Sequence, residues 1–286
     1  MDAARDTRDA PPVQPVKLAE GREAEILSWG EGRVLRLYRD PAGGALADRE
    51  MRALAAVRSV LALVPAPYER IEWQGRPGIV MERVVGRDAL TAISRQPWRV
   101  LELSGLTGRV HAELNGVRAP DQLPALRDEL GERIGSDAGI PEDLRAAALA
   151  ALASLPDSTA LCHGDFQAGN VLLSPRGPVV IDWGNATRGD PDGDFARTLL
   201  MTRVGSLPPG TPRTIRWGRR LGEGLYRGAY QRAYRRSSQR RSDGIQRWEL
   251  VRAVERLVDR IPEERAGLLR EAERLRLRLA ARGRSA

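Results

Sequence analysis

The apolar positions along the chain change their period once. Up to Val85 they fall in short runs broken by glycine and proline: Val16-Lys17-Leu18, Ala24-Glu25-Ile26-Leu27, Val34-Leu35-Arg36-Leu37-Tyr38, then residues 68–73 and 78–80. Runs of this length, bounded by turn residues, predict strands, and Trp29-Gly30-Glu31-Gly32-Arg33 has the glycine punctuation of a hairpin. A loop, Pro41-Ala42-Gly43-Gly44, and an amphipathic helix over 48–57 interrupt the strands. Beyond Gly86 the apolar residues recur at i+3 and i+4. The resulting helices cover 98–114, the neighbourhoods of 122–134 and 142–155, then 195–204, 214–237, 248–259 and 262–281. A strand-rich beginning and a helical remainder predict an α+β chain. Its expected divisions are a disordered tail over 1–15, a small N-terminal antiparallel sheet lobe over 16–86 and a larger, mainly α-helical C-terminal lobe over 87–286.

One stretch does not fit either pattern. Residues 161–194, LCHGDFQAGNVLLSPRGPVVIDWGNATRGDPDGD, crowd carboxylates around two short apolar runs. His163-Gly164-Asp165 is followed by Asn170 at a D-x-x-x-x-N spacing. Val179-Val180-Ile181 then delivers Asp182, as a buried strand delivers a carboxylate to its rim. Gly189-Asp190-Pro191 and Asp194 close the segment. A phosphoryl group in flight carries charge on several oxygens, so the enzyme's task is to position and neutralise. Asp182 and Asn170 supply the carboxylate and amide oxygens that Mg²⁺ accepts. Asp165 is the candidate base that orients an acceptor hydroxyl and takes its proton, and His163 braces the loop by hydrogen bonding.

Composition narrows the chemistry. Cys162 is the single cysteine, which excludes an intrachain disulfide and a cysteine zinc cluster. The two histidines, His111 and His163, are too few for a histidine metal site, so any metal is held by oxygen. His111 falls on the apolar face of a helix and is expected to pack there. No apolar run approaches the roughly 18 residues of a membrane span, and the start, MDAARDTRDAPPVQP, lacks a signal-peptide apolar region. A cytoplasmic protein without membrane partners is the expectation. The net charge of +8 is carried almost wholly by arginine, since Lys17 is the single lysine.

H-G-D-x-x-x-x-N, then I-D-W, then G-D-P-x-x-D-x-A resembles the aminoglycoside phosphotransferase and choline kinase family of small-molecule kinases. The match runs over His163-Gly164-Asp165 to Asn170, Ile181-Asp182-Trp183, and Gly189-Asp190-Pro191 to Asp194-Phe195-Ala196. The resemblance implies a bilobal protein-kinase-like fold and Mg²⁺-dependent transfer from ATP, or GTP, to a small-molecule hydroxyl. Gly164 stands where regulated protein kinases carry an arginine that grips a phosphorylated loop, which implies a constitutively formed site. The same resemblance makes Gly21 the turn over the nucleotide phosphates. It puts the phosphate-binding cation at Arg36, with the neighbouring Arg33 or Arg39 as alternatives, and makes Glu50 its acidic partner and Met81-Glu82-Arg83-Val84 the hinge whose backbone meets the base.

At Arg36 the chain departs from the pattern, which calls for lysine; arginine is a bulkier, planar fork. A nucleotide-binding pseudokinase is therefore the second expectation. An arginine-rich nucleic-acid-binding protein ranks last, because no binding module is present. The arginines of the C-terminal region oppose a polycationic acceptor, so a neutral or anionic one is expected. The resemblance implies that the late helices help to shape its pocket; Glu249, Glu255, Arg256 and Asp259 project from one of them, with none of the four singled out as facing inward. Tyr226, Tyr230 and Tyr234 line one helical face, as a core stripe or a substrate wall.

Overall fold

A computed structural model describes residues 14–21, 23–204, 213–240 and 244–283. The expected tail, apart from its last two residues, lies outside these, as do the loop expected at 205–212 and Arg241. In chain order the elements are β1 (Lys17–Glu20), β2 (Ala24–Ser28), β3 (Arg33–Tyr38), α1 (Gly44–Arg58), β4 (Pro67–Trp73), β5 (Arg76–Glu82) and β6 (Arg87–Asp88). Then follow α2 (Ala89–Arg95), α3 (Val100–Asn115), α4 (Leu126–Ser136), α5 (Glu142–Ala153), β7 (Ala160–Cys162), β8 (Val171–Ser174), β9 (Gly177–Val180) and β10 (Thr187–Gly189). The last four are α6 (Pro191–Val204), α7 (Arg213–Ser238), α8 (Ile245–Arg256) and α9 (Pro262–Gly283).

The chain forms two compact units. The first runs to Asp88 and takes back Asn170–Asn185. Its five-stranded antiparallel sheet has the order β1-β2-β3-β5-β4, and β6-β8-β9 form a second, three-stranded sheet. Alternation along β3 sends Leu35 and Leu37 into a core with Trp29 and Val80, while Arg36 and Tyr38 take the opposite face. Burying each leucine contributes roughly 1.5–3 kcal/mol. On α1 the buried residues are Ala47, Glu50, Ala53, Leu54 and Val57, so a glutamate sits within the apolar stripe.

The second unit comprises Ala89–Gly169 and Ala186–Ala286. Its core joins α4, α5, α8 and α9 through Leu130, Ile134, Leu144, Leu152, Val251, Val254 and Leu268. β7 and β10 pair antiparallel, Cys162 opposite Thr187, at the base of the acidic stretch. The fold is α+β, with an antiparallel sheet at the N-terminus and a mainly helical remainder.

Several boundaries differ from expectation for local reasons. α4 starts at Leu126, after Pro120 and Pro124, because the first proline's carbonyl closes a turn onto the Leu123 N–H and residues before proline avoid helix. α6 starts at Pro191, a favoured first helical residue, which places Asp194 inside the helix. Arg235 and Arg236 belong to the last turn of α7, where cations complement the helix C-terminus. Ala89–Arg95 is a further helix.

Candidate active site

In the first unit, Arg36 is the centre of a charged cluster. Its Nε lies 3.0 Å from Glu50 Oε2, and its Nη2 donates to Asp182 Oδ1 at 2.9 Å. The Arg36 side chain is 14% exposed and that of Glu50 4%, against 35% for Asp182. The Tyr38 hydroxyl donates to the same Glu50 Oε2, and the Arg36 guanidinium carbon lies 5.7 Å from the Tyr38 ring centre. Burial opposes the arginine charge, and Glu50 and then Asp182 more than reverse that, so Arg36 stays firmly protonated. Burial pushes Glu50 up from its ordinary value, with Arg36 pulling the other way.

Asp182 adopts φ 68°, a left-handed conformation, which costs a residue with a Cβ about 1 kcal/mol and is best tolerated by aspartate and asparagine. The backbone around it is fixed from both sides. The Ile181 N–H donates to the Asn170 carbonyl at 2.9 Å, and the Trp183 indole donates to the Val180 carbonyl at 2.9 Å. Asp182 and Asn170 are thus tied together at the ends of β9 and β8. One supplies a carboxylate and the other an amide oxygen, the hard donors that Mg²⁺ takes.

The remaining nucleotide-site candidates of this unit fall in two places. Gly21 closes the β1–β2 turn, its N–H donating to the Ala24 carbonyl at 2.8 Å and its carbonyl accepting from Arg39. A Cβ there would stand 3.7 Å from that Ala24 oxygen, so neither clash nor left-handed backbone calls for glycine. Met81 and Glu82 end β5, and Arg83 and Val84 continue from it. The N–H groups of Glu82 and Arg83 donate to the carbonyls of Ala66 and Gly32, both at 2.8 Å. Arg176, from the β8–β9 turn, grips both Glu82 carboxylate oxygens at 2.6 and 3.1 Å.

In the second unit, His163, Gly164 and Asp165 follow β7 directly. Gly164 takes φ 83°, a conformation that favours glycine over the arginine of regulated kinases. The Asp165 N–H donates to His163 Nδ1 at 3.2 Å, so the ring holds the loop, and Gln167 Nε2 reaches Asp165 Oδ2 at 3.3 Å. Asp194 anchors the loop from below. Its Oδ2 accepts the His163 N–H at 2.7 Å and its Oδ1 the Gly164 N–H at 2.8 Å.

The same Asp194 Oδ2 contacts His111 Nε2 at 3.0 Å and Asn115 Nδ2 at 3.2 Å. Burial holds His111 below its ordinary value. A neutral imidazole must then donate from Nε2 to the carboxylate, so Nδ1 accepts from the Tyr230 hydroxyl, 2.5 Å away. Burial alone would raise Asp194; His111, and then His163 and its N–H, hold it well below the carboxylate range instead. Phe166 stacks on His111 at 4.1 Å, and Tyr234 donates to Asn115 Oδ1 at 2.8 Å.

The other residues singled out in the sequence take structural places. His111 bonds not within its helix but to α6 and α7. Tyr230 and Tyr234 are buried in this network and form a core stripe. Asp190 accepts the Asp192 N–H at the start of α6 and the Trp248 indole. Glu255 and Arg256 are buried in pairs with Arg197 and Glu264, each at 2.8 Å. Glu249 and Asp259 pair with Arg203 and Arg133. Sequence reasoning passed over Tyr38 and Asn115. Tyr38 had a signal, since it lies two residues from Arg36 on the same strand face; Asn115 had none.

A sheet strand that presents a cation to a helix glutamate and a strand-end aspartate, in a chain otherwise helical, defines a kinase-like α+β scaffold. The sequence profile of the phosphotransferase enzyme family (APH) matches residues 16–243, most of the chain, and the chain belongs to that family. No curated protein sequence gives a significant match. Among solved structures, it is similar to an aminoglycoside-3'-phosphotransferase of type VIII, with 22% identity over 86% of this chain and 92% of that one and a TM-score of 0.57. The amicoumacin kinase hAmiN, solved with AMP-PNP, Ca²⁺ and Ami, shows 17% identity over 93% and 89%, with a TM-score of 0.57. A choline/ethanolamine kinase family protein from Mesorhizobium loti shows 14% identity over 96% and 88%, with a TM-score of 0.53. At these identities the structural likeness speaks for the fold. No helix among the described residues is long and apolar enough to cross a membrane.

Proposed function

We propose that the protein moves the γ-phosphate of ATP, or of GTP, to a hydroxyl group of a small molecule. The observation that carries this reading is the contact chain Glu50–Arg36–Asp182, which joins a buried acid, a cation and a part-exposed carboxylate. Arg36 binds the nucleotide phosphates, and Glu50 keeps its fork oriented. Asp182 and Asn170 hold Mg²⁺, which when bound neutralises phosphate charge. Asp165 orients the acceptor hydroxyl and takes its proton as the new oxygen–phosphorus bond forms and the bond to the β-phosphate breaks. His163 and Asp194 fix the loop that carries Asp165. Gly21 and the backbone of Met81-Glu82-Arg83-Val84 are assigned to the phosphates and the base.

The acceptor is proposed to be neutral or anionic. Support comes from α7, whose Arg227, Arg232, Arg235 and Arg236 have no carboxylate partner among the described residues, whereas Arg197 and Arg256 are neutralised. A cytoplasmic location belongs to the same proposal. The relative hAmiN was solved with a nucleotide analogue, which supports nucleotide use here.

The test is ADP release from Mg·ATP or Mg·GTP over a panel of hydroxylated acceptors, with Asp165→Asn alongside. Turnover that falls by about 10²-fold or more in the variant, with folding intact, is expected of a general base. Equal turnover in both would remove Asp165 from that role. The second reading, a pseudokinase, draws on the Arg36–Asp182 bond, which occupies a metal-ligand oxygen. Nucleotide binding without release of ADP for any acceptor would favour it.

A further inference from the structure

Arginine differs from lysine at this position in having two arms. A carboxylate facing a guanidinium prefers the paired fork, with both oxygens engaged by two N–H groups. Glu50 does not make that arrangement. Its Oε2 meets Nε of Arg36 at 3.0 Å, outside hydrogen-bonding angles, and the same oxygen receives the Tyr38 hydroxyl. The other arm of the fork, Nη2, goes to Asp182 Oδ1 at 2.9 Å. Tyr38 is buried and lies under the guanidinium, so its hydroxyl is delivered by the strand that carries Arg36.

We propose that Tyr38 is a positioning residue that splits the Arg36 fork. By occupying Glu50 Oε2, its hydroxyl keeps Glu50 from chelating the guanidinium, which leaves Nη2 directed at Asp182 and, in the nucleotide complex, at the phosphates. Lysine has a single ammonium and needs no such device. The tyrosine is therefore the companion of arginine at position 36 and accounts for how this chain accommodates the departure from its family's pattern. The inference rests on the proposed nucleotide role of Arg36.

The experiment is a double-mutant cycle in the full chain, with Mg·ATP affinity and nucleotide KM as readouts. The variants are Tyr38→Phe, Arg36→Lys and the two combined. Tyr38→Phe removes one oxygen and is expected to weaken nucleotide binding roughly tenfold in the arginine background. In the lysine background the same change is expected to alter binding less than twofold. Acceptor KM stays constant throughout. An equal loss in both backgrounds would show that Tyr38 acts through general packing, and no loss in either would show that it does not position Arg36; both outcomes overturn the inference. Thermal unfolding of the four ligand-free proteins separates a stability effect from a binding effect. A wild-type protein that binds neither ATP nor GTP would instead refute the functional reading on which the inference stands.

Discussion

Asp182 in the first unit and Asp194 in the second belong to the same acidic stretch of sequence, yet their surroundings differ. The Asp182 side chain is 35% exposed, sits on a left-handed backbone and meets one arm of Arg36. Asp194 is 0% exposed, lies in the first turn of a helix and accepts N–H groups from His163, Gly164, His111 and Asn115. A carboxylate surrounded by fixed donors has no capacity left for a ligand and stabilises the loop that surrounds it. A part-exposed carboxylate that meets one arm of a largely buried cation is suited to take a further ligand on its open side. Charge in a motif becomes binding or architecture according to whether its hydrogen bonds are already satisfied.

The largest test of that contrast is to neutralise each aspartate. Asp194→Asn turns amide hydrogens toward buried donors and should cost about 3 kcal/mol in chemical denaturation. Asp182→Asn should change stability by no more than about 1 kcal/mol, because Arg36 keeps Glu50 and the position is part-exposed. Equal costs would erase the distinction between the two sites.

A smaller effect sharpens it through pH. His111 has its folded value depressed below its ordinary 6.5 by burial, so the unfolded chain binds the proton more readily. Stability from this group is present above about pH 6.5 and is lost as pH falls through the folded value. Asp194, depressed below 3.8, adds a loss of the same sign at more acid pH. Melting temperature should therefore decline on acidification below pH 6.5, and His111→Gln, lacking a titrating ring, should give a flatter curve over that interval. A wild-type profile flat from pH 7 to 5 would argue against a neutral, buried His111.

Much of this arrangement is legible in the sequence, for reasons that differ by residue. Arg36 between Leu35 and Leu37 declares its face through the strand period alone. Glu50 was legible only through the family resemblance; its place in the buried stripe Ala47, Glu50, Leu54 and Val57 is a fact of the packed helix. The Asp165 to Asn170 spacing and the run into Asp182 carry the family pattern directly. Other parts could not be read. The partners of His111 lie 83 and 119 residues away, and nothing local distinguishes its buried donor from an inert core ring. Asp194 could not be told from the other acids of the stretch, because its side chain's partners, the N–H groups at 163 and 164, are set by the packing of α6 against β7. Nor does the sequence say which late-helix acids face inward, because their arginine partners lie far away on α4 and α6.

Arg36, Asp182 and Asn170 are proposed to form a metal–nucleotide phosphate site. That proposal is tested most directly by thermal unfolding of the wild type and Asp182→Asn with ATP or GTP, each with and without Mg²⁺. Ligand at about one hundred times its dissociation constant should stabilise the wild type by roughly 2.7 kcal/mol, with Mg²⁺ required for the full rise and the variant losing that requirement. A nucleotide response identical in the two proteins, or none in a folded wild type, would contradict the claim.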